Sequence, residues 1–287
     1  MSSKQYVVAT DVGGTCTDTV VFTAGEPIRL GKVLSTPPDF SVGVMASINS
    51  AIASMKMSMS DLLTHTTLFI HGTTVIENTV LARGGAKTGL VTTRGFEDTL
   101  LVTRGAYGRY AGLTEEGIKH PVMTDRPEPL VSAELIQGVP ERVDYKGGVL
   151  LELDEKATET ALRYLLEQKG VGAVAVCLLW SFYNDRHEKR IAKILKQINP
   201  DIYTSLSCAV APVLGEYERT STTVINAYAG RVAHDYLARL QKELDKAGYR
   251  GPLLVMQGYG GLLPAAEASD FCVGLIEGGP AAGVIGS

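Results

Sequence analysis

The sequence predicts an α/β protein: a three-strand antiparallel meander, then strands and helices in alternation around a mostly parallel, covered sheet. Three observations carry that expectation. The chain opens with three short β-branched and apolar runs separated by two turns. The apolar period then switches from that of a strand to that of a helix. From there on, short apolar runs alternate with amphipathic stretches of helical length, which is the pattern of a parallel sheet with helical crossovers.

Taken in order, Tyr6-Val7-Val8-Ala9-Thr10 is the first strand, Asp11-Val12-Gly13-Gly14-Thr15 a turn, and Thr19-Val20-Val21-Phe22 the second strand. Ala24-Gly25-Glu26-Pro27 turns the chain into a third strand over 28–34. Pro37-Pro38-Asp39 signals a helix start, and Val42, Met45, Ala46, Ile48, Asn49 and Ile52 follow at helical spacing. A strand is expected over 67–70, a helix over 75–83 and a strand over 88–92. A helix over 155–168 carries Ala157, Ala161, Leu162 and Leu165 on one face, before a buried strand over 171–179. Ile191, Ile194 and Leu195 mark a helix over 187–197, and a strand follows over 201–205. Val224, Tyr228, Val232 and Tyr236 recur every four residues in a long helix, 216–246, whose face Leu237, Leu240 and Leu244 extend. Gly248 ends it, Pro252 prevents a restart, and a strand follows over 253–256. The stretch 103–140 stands apart, with Gly105, Gly108, Gly112, Pro121, Pro127 and Pro129 and little periodicity. A loop of that length is functional, an interface or a plain surface excursion.

Composition narrows the function classes. Of 287 residues, 45% are apolar and 20% charged, which is a globular balance rather than a disordered one. Lys and Arg total 27 against 31 Asp and Glu, so no basic surplus points to nucleic acid or an anionic membrane. The longest apolar run, 171–180, is half of what a bilayer span needs, and the N-terminus shows no signal-peptide pattern. Cys16, Cys177, Cys208 and Cys272 are far apart with no CxxC, so a reducing cytoplasm is expected rather than a disulfide framework or a zinc site.

Five constellations could carry chemistry. Asp11-Val12-Gly13-Gly14-Thr15-Cys16-Thr17-Asp18 joins two strands: its glycines let backbone N–H groups approach phosphate, Thr15 and Thr17 add hydroxyls, and Asp11 suits a hydrated Mg²⁺. The bland reading is an ordinary hairpin turn. His71-Gly72-Thr73-Thr74 lies between a strand and a helix, where an anion site competes with N-capping by Thr73 or Thr74; spacing alone favours capping. His187-Glu188 opens an HExx pattern, but Ile191 breaks the zinc-protease motif. Glu188 then reads as a capping or dipole-compensating residue near a helix start, and His187 as structural. The polar run Glu216 to Thr223, with Arg219, lines a cleft or forms a solvated first turn; its Thr-Ser-Thr-Thr segment is poor helix material, which favours a function. Gly278-Gly279-Pro280-Ala281-Ala282-Gly283 combines a proline suited to a helix start with small residues that permit close approach. GxSxG, GxxxxGK[ST] and a helix-opening GxGxxG are absent, so P-loop and Rossmann-type phosphate sites are not expected.

Together with Gly89-Leu90-Val91-Thr92-Thr93-x-Gly95-Phe96-x-Asp98, Ser181-Phe182-x-Asn184-x-x-His187-Glu188-x-Arg190 and Glu216-Tyr217-Glu218-Arg219-Thr220-x-Thr222-Thr223, these blocks occur in a fixed order over the whole chain. In that order they resemble the hydantoinase A/5-oxoprolinase family, which includes the ATP-binding subunits of acetone and acetophenone carboxylases. The resemblance implies an actin-like (ribonuclease H-like) ATPase fold. It implies two regions, 1–199 with the first phosphate turn and 200–287 as the start of a central domain. It implies ATP and Mg²⁺ as cofactors and an amide or ketone as small-molecule substrate, with a hydantoinase B-type or carboxylase subunit as partner. Asp11 and Asp18 would be catalytic, with Asp11 at the metal; Gly13, Gly14, Thr15, Thr17, His71, Gly72, Thr73, Thr74, Gly279, Ala281 and Gly283 would face the nucleotide. Cys16, Gly258 and Gly278 depart from the family's usual Phe, Ser and Ser. Family members are commonly more than twice as long and carry a second phosphate turn beyond the Gly-Pro-Ala-Ala-Gly block, so half of an ATP site is expected here. The expected function is therefore part of an ATP-dependent hydrolase or carboxylase, or else a non-catalytic subunit that docks on a full-length partner. A self-sufficient small-molecule kinase fits least.

Overall fold

A computed structural model describes residues 4–103, 112–120, 123 and 128–286. Much of the aperiodic stretch 103–140, including Arg104 to Arg109, lies outside the described residues. In chain order the strands are β1 (Tyr6–Val12), β2 (Cys16–Phe22), β3 (Arg29–Leu34), β4 (Thr66–Thr73), β5 (Thr88–Thr93), β6 (Ile136–Val139), β7 (Arg142–Val143), β8 (Val149–Leu151), β9 (Ala173–Cys177), β10 (Tyr203–Leu206), β11 (Leu253–Met256) and β12 (Leu262–Pro264). The chain forms two compact units: a split unit, Met1–Gly85 with Ala229–Ser287, and an inserted unit, Ala86–Tyr228. The sequence-based boundary at 199/200 falls within the inserted unit, between its last long crossover helix and β10.

The split unit is built on a six-stranded sheet in the order β12-β11-β4-β1-β2-β3. β1, β2 and β3 form the expected antiparallel meander, while β4 and β11 run parallel beside β1. Side chains alternate across it with period two. Val8, Val12, Val21, Phe69, Leu253 and Val255 point into a core with Ile48 of the helix Phe40–Ile52 and Leu237, Leu240 and Leu244 of the helix Glu216–Lys246. The first of these helices begins where the Asp39 carboxylate accepts the Ser41 N–H at 3.1 Å, and Arg239 pairs with the same carboxylate at 2.9 Å. Gly31 lets β3 lie against this helix, because a Cβ there would overlap the Ser47 carbonyl oxygen. Gly248, at φ +107°, ends the long helix as predicted.

The other face of this sheet carries Val7, Ala9, Val20, Leu68, Ile70, Leu254 and Met256, all half-buried, and the exposed Phe22, Leu30 and Leu34. Asp18 and Lys32 pair across it at 2.7 Å. Parallel strands with apolar residues on both faces are normally covered on both; among the described residues this face is left open at its β2–β3 end.

The inserted unit holds a four-stranded sheet, β10-β9-β5-β6, parallel throughout. All residues of β5 and β9 are buried, as continuous apolar runs in parallel sheets usually are. Helices Glu155–Arg163 and Arg186–Ile198 pack on it through Leu162, Ile191 and Leu195. The expected helix over 155–168 changes to a π turn at Tyr164–Gln168, and the expected strand over 171–179 is the shorter β9. β7 and β8 form a small separate ribbon.

Candidate functional site

The site begins at the end of β1. Asp11 lies opposite Asp18 across the antiparallel pair and beside Gly72 across the parallel one. Its carboxyl is held above its ordinary pKa, chiefly by partial withdrawal from water and next by the like charge of Asp18, with Lys32 opposing. Lys32 donates to both oxygens of Asp18, at 2.7 and 2.8 Å. Gly72 is what leaves room for Asp11, since a Cβ there would stand 2.8 Å from Asp11 Oδ1. A Cβ at Gly279 would stand 3.9 Å from the same oxygen, so the Gly-Pro-Ala-Ala-Gly block reaches the first turn. Gly72→Ala is expected to displace the Asp11 side chain alone, because that flexible carboxylate is the near neighbour. Calorimetric melting should stay within about a degree of the parent.

The turn itself is open at Gly14 and Thr15, both exposed. Gly13 N–H donates to Cys16 O at 2.9 Å, and the Ser35 hydroxyl donates to Gly13 O at 2.7 Å. Thr17 is placed differently: its fully buried hydroxyl lies 3.1 Å from Ser35 Oγ and faces the covered side of the sheet. It supports the turn from beneath.

β4 does not end at Ile70 as expected. Pairing with β1 carries it through Thr73, and this settles where each residue of the His-Gly-Thr-Thr block points. His71 falls on the covered face, fully buried, with Nδ1 2.7 Å from Thr10 Oγ1 and Nε2 2.7 Å from the Tyr236 hydroxyl. Burial pushes its pKa down to about 3 and raises that of Tyr236. Gly72 falls on the Asp11 side. Thr73 Oγ1 accepts the Val75 N–H at 3.2 Å, and the Thr74 hydroxyl donates to Val12 O at 3.2 Å. Thr74 occupies the N-cap position of Val75–Leu81 without a side-chain cap bond, so the expected capping does not form; Thr73 instead accepts the first helical N–H from one residue outside the cap.

Sequence reasoning missed two side chains. Asn78 Nδ2 donates to Thr74 Oγ1 at 3.1 Å and stands where a Cβ on Gly14 would meet it. Glu77 accepts the Glu277 N–H at 2.6 Å, tying this helix to the residue before Gly278; burial raises its pKa. The available signal was position: both lie in the first helical turn after a strand-end block. Glu277 adopts φ +62°. Pro280, Ala281 and Val284 of the helix Gly278–Gly286 border, with Tyr259, a concavity of about 390 Å³, whereas Gly283 is exposed with nothing near it. Two of the three family departures meet here. A Cβ on Gly258 would overlap Ile276 O, and one on Gly278 would stand 2.9 Å from Met256 O.

In the inserted unit, Glu188 stands in the first turn of its helix as expected and is in addition a buried hub. It accepts Leu178 N–H at 2.9 Å, Cys208 N–H at 2.9 Å and the Ser207 hydroxyl at 2.6 Å. His187 is structural, as expected, with Nδ1 2.8 Å from Glu141 Oε2. Within the helix, Thr220, Ser221 and Thr223 of the Thr-Ser-Thr-Thr run satisfy their hydroxyls by donating back to carbonyls one turn earlier. Among the described residues no cluster of three or more His, Cys, Asp or Glu side chains could hold a metal ion by itself, and no helix is long and apolar enough to cross a membrane.

Comparison with known proteins decides the family. The hydantoinase/oxoprolinase N-terminal region model matches residues 7–199, and the hydantoinase/oxoprolinase model matches 219–287. The chain belongs to the hydantoinase/oxoprolinase family. Curated relatives include the acetophenone carboxylase gamma subunit of Aromatoleum aromaticum, 35% identical over 96% of this chain and 38% of that one. The caprolactamase subunit alpha of Pseudomonas jessenii is 31% identical over 98% of this chain and 39% of its own. A nucleotide-free structure of acetone carboxylase, described as carrying out ATP-dependent acetone carboxylation, superposes with a TM-score of 0.90 at 29% identity, over 99% of this chain and 40% of that one. The ATP-dependent caprolactamase of Pseudomonas jessenii gives 0.80 at 29%, over 94% and 38%. The chain thus spans about two fifths of the length of these relatives, and its mixed sheet is that of an actin-like ATPase domain. Both solved relatives are described as ATP-dependent.

Proposed function

We propose that this chain forms the phosphate-holding part of an ATP-dependent enzyme of the hydantoinase/oxoprolinase family, which activates an amide or ketone oxygen by phosphoryl transfer. The observation that carries the reading is the Asp11 carboxylate at the end of β1, with Gly72 and Gly279 leaving space beside it. The residues present fit Mg·ATP. A hard cation takes carboxylate oxygens and retained water, and a carboxylate partly withdrawn from water next to Asp18 gains from a cation beside it. Bound Mg·ATP would supply the transferable phosphoryl group. Asp11 would hold the metal; Gly13, Gly14 and Thr15 would meet phosphate oxygens through the open turn. Asp18, fixed by Lys32, would set the turn's charge. Thr17, His71, Thr73 and Thr74 would hold the two strand ends in place, with Gly279, Ala281 and Gly283 on the approaching helix. In this reading 1–199 is the N-terminal family region and 200–287 the start of the central one. A hydantoinase B-type or carboxylase subunit would be its partner, and four free cysteines agree with a cytoplasmic setting.

A second reading, a non-catalytic subunit seated on a longer relative, is favoured by the open apolar face of the six-stranded sheet. Calorimetric titration of Mg·ATP separates the two. The first reading expects saturable binding that Asp11→Asn weakens at least a hundredfold, ~2.7 kcal/mol. Binding undiminished in that variant would overturn it.

A further inference from the structure

The short helix Val75–Leu81 touches two separate parts of the phosphate site, and adjacent side chains make the two contacts. Asn78 stands against the turn, where a Cβ on Gly14 would meet its Nδ2 at 3.4 Å. Glu77 reaches the other way and accepts the Glu277 N–H at 2.6 Å, across 200 positions of sequence.

That bond lands where the last helix starts. Glu277 O accepts the Ala281 N–H at 3.1 Å, an opening bond of the helix Gly278–Gly286. The Glu277 backbone is left-handed, at φ +62°, which a residue with a Cβ seldom adopts unless its surroundings impose it. Those surroundings are close. Gly258 N–H donates to Gly274 O at 2.7 Å, and the glycines at 258 and 278 let the segment 276–278 lie on the end of β11. Gly279, two residues beyond the bond, is the residue that faces Asp11.

The remainder of the Glu77 carboxylate has no packing duty. Its Oε2 is buried and has no hydrogen-bond partner among the described residues. Leaving a carboxylate oxygen so is costly, and holding one N–H needs only a neutral acceptor. The carboxylate does sit at the start of a helix, where its charge meets the positive end of the helix dipole.

We propose that Glu77 is a positioning residue of the nucleotide site: through Glu277 it fixes the helix Gly278–Gly286, and Gly279 with it, beside Asp11. The proposal deepens the function proposed above and rests on it for the identity of the ligand. Coupling of this kind is reciprocal, so bound nucleotide also holds the Glu77–Glu277 bond closed.

The test reads the Glu277 amide by hydrogen exchange in NMR and Mg·ATP binding by calorimetry, both on the purified chain. Glu77→Ala removes the acceptor and Glu77→Asp withdraws it by one methylene, so misfolding of one leaves the other informative. Glu77→Gln keeps an acceptor oxygen at the same reach. In the folded Ala and Asp variants the Glu277 N–H should exchange at least tenfold faster than in the parent, and Mg·ATP should bind about tenfold more weakly. Glu77→Gln should restore both to within about threefold of the parent. Saturating Mg·ATP should slow exchange of the Glu277 N–H in the parent, a response that simple support of the fold would not give. Unchanged exchange in a folded Ala or Asp variant, Gln as impaired as Ala, or no slowing by bound Mg·ATP overturns the role. Variants that bind Mg·ATP as tightly as a binding parent overturn this role alone; a parent that binds none overturns the function proposed above together with it.

Discussion

Replacing Arg219 by Met is expected to cost the inserted unit about 3–5 kcal/mol, the usual penalty for removing one partner of a buried ion pair. Arg219 is 1% exposed. Its Nη2 donates to Leu178 O at 3.1 Å and to the Ser181 and Ser207 hydroxyls, and its guanidinium stacks on Phe182 with 5.0 Å to the ring centre. Glu188 Oε1 lies 3.9 Å away, bonded to Leu178 N–H and the same Ser207 hydroxyl. Removing the cation strands a fully buried carboxylate, whereas neutralising both partners does not. Arg219→Met with Glu188→Gln should therefore recover a large part of the loss. Trp180, the chain's single tryptophan, lies 5.5 Å from Phe182, so urea unfolding followed by its fluorescence reads this unit. A loss under about 1 kcal/mol for the single variant would mean that the packing around Arg219 needs no charge.

Acid should weaken the split unit through His71. Its folded pKa of about 3 lies below the ordinary 6.5. The unfolded chain therefore takes up a proton below about pH 6.5 that the folded chain refuses until pH falls to about 3. Stability from this group is complete above that window and is lost as pH drops through it, at about 1.4 kcal/mol per pH unit. The groups that bond the ring are hydroxyls, Thr10 and Tyr236, and neither compensates a charge. His71→Gln removes the titration. The stability gap between parent and variant, followed by circular dichroism in urea, should change by ~2.3 kcal/mol between pH 6.5 and 4.5. A gap constant with pH would show that water reaches the ring.

The backbone of the fold was largely legible in the sequence. The meander, the helix 216–246 and the strand 253–256 follow from period and punctuation, which are local properties. What escaped depends on pairing. Nothing local tells Ile70 from Thr73 as the end of β4; register with β1 does, and it sends His71 inward while Gly72 stays beside Asp11. Glu188 reads as a helix-start residue because its partners, Leu178 and the adjacent Ser207 and Cys208, arrive from two separate segments. Glu77 and Asn78 join the phosphate turn through the tertiary approach of Glu277 and Gly14, which sequence spacing does not contain.

β3 is the edge strand of the six-stranded sheet and presents Leu30, Lys32 and Leu34 on the open face. An apolar edge is a template for another strand, and a charge in its middle is a common safeguard against that. Lys32 is that charge, and Asp18 keeps it upright over the sheet. As a solvated ion pair it adds little to stability. Its consequence is colloidal: a charged pair on an apolar edge strand disfavours edge-to-edge pairing between copies of this chain.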